Sequence, residues 1–421
     1  MNINTRNGAT LVIVSGLMML GVLMAGSVAL STGNRMGQVR QQFNIEAAFY
    51  LAEAGAERAV SRIAAGNETP GTLSGSLGRG SFVSHINVQS SGGESQINIT
   101  STGTVQQVTR VVSMRGIRRV SWARYALWYQ TESTSLWIAG GEKFRGPVYS
   151  TPQFRFHSYQ VSTLGQTRFY HDASSVATSI QKENTSVNPI FDVGLSLGVP
   201  SENMSSIVLA SLKTSANLVL DGASTIIISN QTLRITNLRR GWTNFSWSIP
   251  DEGVVYVQTV TSGDSATRTG DLSVSGPSGL HGRLTLVADR DILINNHITY
   301  AENPQTLPSS TDALGLIARR HVAVQASAPN DLNIYAHIIC GVAVPGLVQE
   351  GGFGVANYNT GSYRGLLTVY GGIVNYCRNP VGQVSGTGYT KNYTFDTRFS
   401  KTPPPCYPIK TDEFEWTEWD G

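Results

Sequence analysis

The chain has 421 residues, enough for two or three domains, and a net charge of only +3. That charge is too small to indicate a nucleic-acid partner, and 14 % charged residues is too few for a heavily solvated cytosolic enzyme. With 44 glycines, and with Val, Ile, Thr, Ser and Asn dominating after Gly71, the composition is that of a β-rich protein with many turns.

From Gly8 to Asn34 there is no acid or base, and Arg6 and Arg35 are the flanking charges. The run supplies the roughly 20 apolar residues that cross a bilayer core at about 1.5 Å of rise each. Gly21, Ala25, Ala29 and Gly33 recur at every fourth position and place small residues on one face, which permits close helix packing in lipid. The alternative is a secretory signal, for which Ser27-Val28-Ala29 would serve as cleavage site. The helical pattern continues, however, from Gln38 to Ala65, with strong helix formers and no proline. Ala47, Leu51, Ala56, Val60 and Ile63, together with Ala52 and Ala59, fall on one face and should be buried. The layout expected is a tail over 1–8, a membrane helix over 9–32 and an exposed amphipathic helix over 33–65. Asn67 to Gly71 would end it.

Gly8-Ala9-Thr10-Leu11-Val12, the apolar helix and the segment Ala48-Phe49-Tyr50-Leu51-Ala52-Glu53-Ala54-Gly55-Ala56-Glu57-Arg58-Ala59 together resemble the N-terminal region of PilX-like type IV pilus assembly proteins. The resemblance implies a leader peptide cut between Gly8 and Ala9, and a freed helix that packs with neighbours in a filament. It implies pilin-like or assembly-platform partners, the membrane itself, and a helix laid on an antiparallel meander. The charges flanking the apolar run, Arg6 against Arg35 and Arg40, are nearly balanced. The resemblance therefore sets the orientation: a bacterial inner-membrane or envelope protein, single-pass, with a cytoplasmic N-terminus and an extracytoplasmic C-terminal domain. Two positions depart from the pilin pattern. Ala9 replaces the usual phenylalanine, and Ile13 stands where most pilins carry a glutamate, as in some minor pilins.

Over residues 80–120 three alternating runs, Phe82–Val88, Gln96–Val105 and Val108–Ile117, read as the antiparallel meander. Residues 121–252 form a looser mixed β region in which aromatics cluster, with a short helix between Val193 and Ser215. Here Phe144–Ser150 resembles a turn in large β-domains attached to PilX-like anchors. Trp128, Trp137 and Tyr149 read first as core residues and second as a sugar-stacking surface. Over 253–401, short apolar runs separated by Asp, Asn and Gly turns suggest a β-solenoid-like domain, with a β-sandwich as the alternative. Residues 402–421, with three consecutive prolines and then Phe414, Trp416 and Trp419, suggest a cap over its open end. The fold class is thus α+β, mainly β.

Little in the sequence suggests catalysis. Gly194-Leu195-Ser196-Leu197-Gly198 matches a nucleophile elbow but lacks the strand–turn–helix setting. Asp289, Asp291 and His297 could share one face of a lyase or glycosidase, although aspartates at such turns are commonly turn formers. No cofactor or metal site is read. Cys340 and Cys377 end two β runs and are the candidate disulfide. The functional expectation is a membrane-anchored, PilX-like minor pilin or pseudopilin-type component. A free-standing adhesin that binds surface polysaccharide is the alternative, and a polysaccharide lyase or glycosidase is third.

Overall fold

The computed structural model describes residues 6–64, 69–91, 94–133, 136–265, 267–383, 386–415 and 418–420. Most of the expected 1–8 tail and the Asn67–Glu68 helix stop lie outside the described residues. The protein is mainly β, with one long N-terminal helix and a large β domain. It divides into two compact units: Met1–Gln89 with Gln96–Arg118 and Trp416–Gly421, and Ser90–Ser95 with Arg119–Glu415. The larger unit is thus inserted into the chain of the smaller.

In the smaller unit, α1 (Arg6–Ala64) runs for 59 residues, about 90 Å at 1.5 Å per residue. It is followed by β1 (Gly71–Leu77), β2 (Gly80–Ser91), β3 (Glu94–Val105) and β4 (Val108–Ser121), ordered β1-β2-β3-β4 in one sheet. The outer pairs are antiparallel, closing through Leu77↔Gly80 and Val105↔Val108. Along β2 and β3 one side of the pleat is buried, at Phe82, Ser84, Ile86, Ile97, Ile99 and Ser101. β1 adds a strand that the sequence does not announce, because Gly-Thr-Leu-Ser-Gly-Ser-Leu is small, polar and largely exposed. Glu418–Asp420 adds a further antiparallel strand on β4, with Glu418 opposite Arg115.

The larger unit is dominated by parallel pairing, which an antiparallel sandwich would not show. One column of successive Cα partners reads Leu218, Val255, Leu286, Leu316, Ile338, Ile373, Leu127, Val148, Ala173 and Leu195. A second reads Ile226, Val274, Ile294, Val324 and Val355. A third reads Ile298, Ile334, Val369, Tyr393, Phe144, Phe169 and Phe191. All three columns supply one core. Within the third, Phe144 stacks on Phe169 at 4.7 Å and Phe169 on Phe191 at 4.9 Å. The aromatic cluster of the 121–252 region is therefore largely interior packing. Trp128 and Tyr149 are buried and stacked at 5.6 Å, while Trp137 is half-buried beside His157.

The strands do not stack in chain order. Those between Leu127 and Leu197 build one part of the column, and residues 198–217 then carry the chain to its far end. From Leu218 the strands build back until Ile373 meets Leu127. Strands of the expected 121–252 and 253–401 segments therefore share one sheet and one compact unit. At the Leu218 end, Thr232–Asn237 pairs antiparallel with Ser224–Ser229, and Trp242–Ser248 pairs with it in turn. Asn237 Nδ2 donates to the Asp221 carbonyl at 3.0 Å and Arg240 to the Val219 carbonyl, so side chains cover backbone acceptors of the terminal strand.

The first column's strands are apolar on both faces. Their outward residues, among them Tyr256, Val287, Ile317, Ile339, Val374 and Trp128, form a second core with Met204, Ile207, Leu209, Leu212, Phe399 and Tyr407. The crossover and the 396–407 segment cover that side. The proline run therefore lies along the flank, where Thr285 Oγ1 donates to the Pro405 carbonyl at 2.6 Å, and not over an end as the sequence suggested. Leu316 sits inside the first column with no exposure. Leu316→Ala should cost about 2–5 kcal/mol, the range for a buried leucine that leaves a cavity. A shift in the urea midpoint of the full chain would measure it, and an unchanged midpoint would refute this packing.

Candidate functional site

The chemistry of α1 changes along its length. Leu11, Val12, Leu17, Met18, Met19, Val22, Leu23, Met24 and Leu30 are exposed large apolar side chains. This is the one helix, among the described residues, long and apolar enough to cross a membrane. Three of its hydroxyls bond back to the helix itself: Ser15 donates to the Val12 carbonyl at 3.0 Å, Ser27 to Met24 at 2.9 Å and Thr32 to Val28 at 2.8 Å. Gly21, Ala25, Ala29 and Gly33 are all exposed, and added Cβ atoms at Gly21 and Gly33 would meet nothing within 4 Å. Gly8 and Ala9 lie within the helix.

The second half packs on the sheet through small residues. Ala48, Leu51, Ala52, Ala56, Ala59 and Ile63 are buried, while Ala47 and Val60 are half-buried at the margin. Of the expected stripe, Leu51, Ala52, Ala56, Ala59 and Ile63 are thus buried, and Ala48 joins them where Ala47 and Val60 lie at the edge. Facing it are Gly103, which lies so close that a Cβ would strike the Ala48 carbonyl and the Ala52 amide, and Gly80 against Leu51. A Cβ on Gly55 would strike Ser84, Ser101 and Phe82. Ser84 Oγ donates to Ser101 Oγ at 2.9 Å beneath it, so these two buried hydroxyls satisfy each other. The Leu-Ala-Glu-Ala-Gly-Ala run is small on this face because backbone meets backbone there.

The other candidate residues take part in local hydrogen bonding or stand exposed. Ser196 is exposed on Leu195–Leu197 and its hydroxyl makes no hydrogen bond among the described residues. Asp289 accepts from the Thr259 amide at 2.8 Å and from the Tyr256 hydroxyl, and Asp291 accepts from the His321 amide at 3.0 Å. His297 accepts at Nδ1 from the Asn333 amide at 3.1 Å. These are turn and inter-strand bonds. Among the described residues, no group of three His, Cys, Asp or Glu side chains could hold a metal. Cys340, Cys377 and Cys406 carry free thiols, and the register sets Asn375, not Cys377, opposite Cys340.

A polar clasp, not foreseen from the sequence, ties the ends of the larger unit together. The Trp122 amide donates to the Pro408 carbonyl at 3.0 Å. Glu202 of the crossover accepts from Tyr125 Oη at 3.0 Å and Trp128 Nε1 at 3.3 Å, and pairs with Lys410 Nζ at 3.2 Å. His337, fully buried, lies between these segments, with Nε2 3.1 Å from the Tyr125 carbonyl and Nδ1 2.7 Å from Tyr407 Oη. The carbonyl can only accept, so Nε2 carries the proton and Nδ1 accepts from the tyrosine. Burial pushes the imidazole down to about 3, with the Tyr125 bond acting the other way. Lone histidines give no sequence signal for such a role, because the partners lie 212 and 70 residues away.

No protein-family model matches the chain, and no curated protein matches it. Among solved structures, the competence-associated pilin ComZ from Thermus thermophilus is similar at 14 % identity over 90 % of this chain and 97 % of that one, with a TM-score of 0.29.

Two expectations follow for the seam and the clasp. Gly103→Val should destabilise the smaller unit by about 1–3 kcal/mol through overpacking against helix backbone, read as lost hydrogen-exchange protection in β2 and β3. His337 binds its proton far more weakly folded than at the ordinary value of about 6.5, so its neutral form contributes full stability above that pH. The contribution is lost as pH falls from about 6.5 toward 3, by up to about 1.4 kcal/mol per unit. His337→Gln should therefore flatten the acid limb of the unfolding-midpoint profile, and an unchanged slope would contradict the assignment.

Proposed function

We propose that this protein is a membrane-anchored, pilin-type component of a type IV pilus or a related secretion filament, PilX-like in its N-terminal region. The observation that carries this reading is the division of α1. One half is apolar and exposed for roughly a bilayer's thickness, and the other is fastened to a small antiparallel sheet through alanines and glycines. Lipid and partner helices would cover the first half, with Gly21, Ala25, Ala29 and Gly33 as the contact strip. The larger unit would lie outside the cytoplasm as a wound, solenoid-like β domain that presents a surface. Its role is interaction and assembly, and no catalytic step is assigned to it.

The Gly8–Ala9 bond is the candidate leader cleavage site, so the processed chain should begin at Ala9. N-terminal sequencing of the membrane-extracted protein reads this directly, and a start near Leu30 would instead favour a secretory signal. Gly21→Leu with Ala25→Leu should leave both β units folded, since neither residue touches them. The pair should nevertheless abolish co-purification with pilin-like partners. Normal assembly of the double variant would remove the strip from the interface.

A further inference from the structure

At the Leu218 end of the larger unit, the antiparallel hairpin and the loop before Gly282 border a wide-mouthed polar cavity of about 590 Å³. That volume lies within the range of small-molecule sites, about 300–1,000 Å³. Its walls, unlike those of most such sites, carry no apolar side chain. Thr232, Arg234 and Ser246 share the outward face of the hairpin, Arg234 and Ser246 being direct cross-strand partners. Leu233 and Ile235 on the opposite face are fully buried in the core. The floor is therefore anchored.

The rim is equally fixed. Asn230 adopts a left-handed conformation, φ 52°, at the turn between Ser224–Ser229 and Thr232–Asn237. Its amide donates to the Gly279 carbonyl at 2.8 Å, and its carbonyl accepts from the His281 amide at 3.1 Å, so turn and loop are joined through backbone. His281 lines the cavity with Nδ1 3.4 Å from Asp312 Oδ1. Asp312 is fully buried and accepts from the Gly282 amide at 2.7 Å and the Glu302 amide at 2.9 Å, which fixes its carboxylate. A fixed carboxylate thus stands beside the imidazole at the cavity rim. Arg234 is exposed and has no acidic partner among the described residues. Around it stand hydroxyls of Ser229, Thr232 and Ser246 and the amide of Gln231, which both donate and accept.

We infer that this cavity binds an acidic saccharide, a hydroxyl-rich ring bearing a carboxylate. Arg234 would take the carboxylate, since a guanidinium matches it in charge and geometry, and His281 with the hydroxyls would take ring hydroxyls. An apolar ligand would find no apolar wall, and a bare oxyanion would leave most of the volume and most of the hydrogen-bonding groups unused. The site is independent of the assembly reading and would serve an anchored protein of any filament system.

The test titrates trigalacturonate into the full chain in detergent by calorimetry, beside galactotriose of the same linkage and inorganic phosphate. Saturable binding of the acidic trimer is expected. Arg234→Gln should weaken it at least about tenfold, because a charge-assisted pair is lost. Ser246→Tyr, which fills the cavity while keeping Arg234, should abolish it. Arg268→Gln, outside the cavity, should change nothing. No saturable binding, equal affinity for the neutral trimer, or undiminished binding by Arg234→Gln would each overturn the inference. Displacement by phosphate at equal concentration would overturn its saccharide part.

Discussion

Parallel register is the constraint on which the larger unit depends. In a pleated strand a one-residue slip turns every side chain to the opposite face. The column from Leu218 to Leu195 keeps an aliphatic residue at each successive partner position, so one interior line is continuous through strands far apart in sequence. Two other columns meet it in the same core. The crossover and the 396–407 segment then find their own place, because the outward side of the first column is also apolar and must be covered.

The most sensitive point of that arrangement is where Ile373 meets Leu127, since no short connection holds those strands together. Charged side chains converge there. Glu132 pairs with Arg378 at 3.3 Å and with Arg155 at 2.8 Å, and Lys391 pairs with Glu142 at 2.8 Å. Burial pulls the Lys391 ammonium below its ordinary value, with Glu142 acting against that pull. Buried ion pairs add little net stability over well-packed apolar residues, but leaving one partner alone is costly.

Much of the fold was legible in the sequence, and the illegible parts have a common physical origin. Helical spacing located the stripe of α1, yet it could not tell Ala47 from Ala48 as its buried member. That choice depends on Gly103 and Gly80 in the facing sheet. Alternation marked β2, β3 and β4, and the short apolar runs after Gly253 were visible as strands. The Phe144, Phe169 and Phe191 strands were missed as strands because each spans only two or three residues, and their signal is the ring beneath them in space. Nothing local shows that Leu127 follows Ile373 in the stack. The polar cavity was equally hidden: Arg234, Ser246 and His281 are unremarkable singly, and only the hairpin and the backbone bonds of Asn230 bring them together.

The bond between Trp122 and Pro408 gives the insertion a property of its own. Because it joins residue 122 to residue 408, tension applied to the chain at those two points enters and exits at one spot. Resistance falls to the clasp, where backbone, Glu202, Lys410 and the His337–Tyr407 bond hold three segments in register.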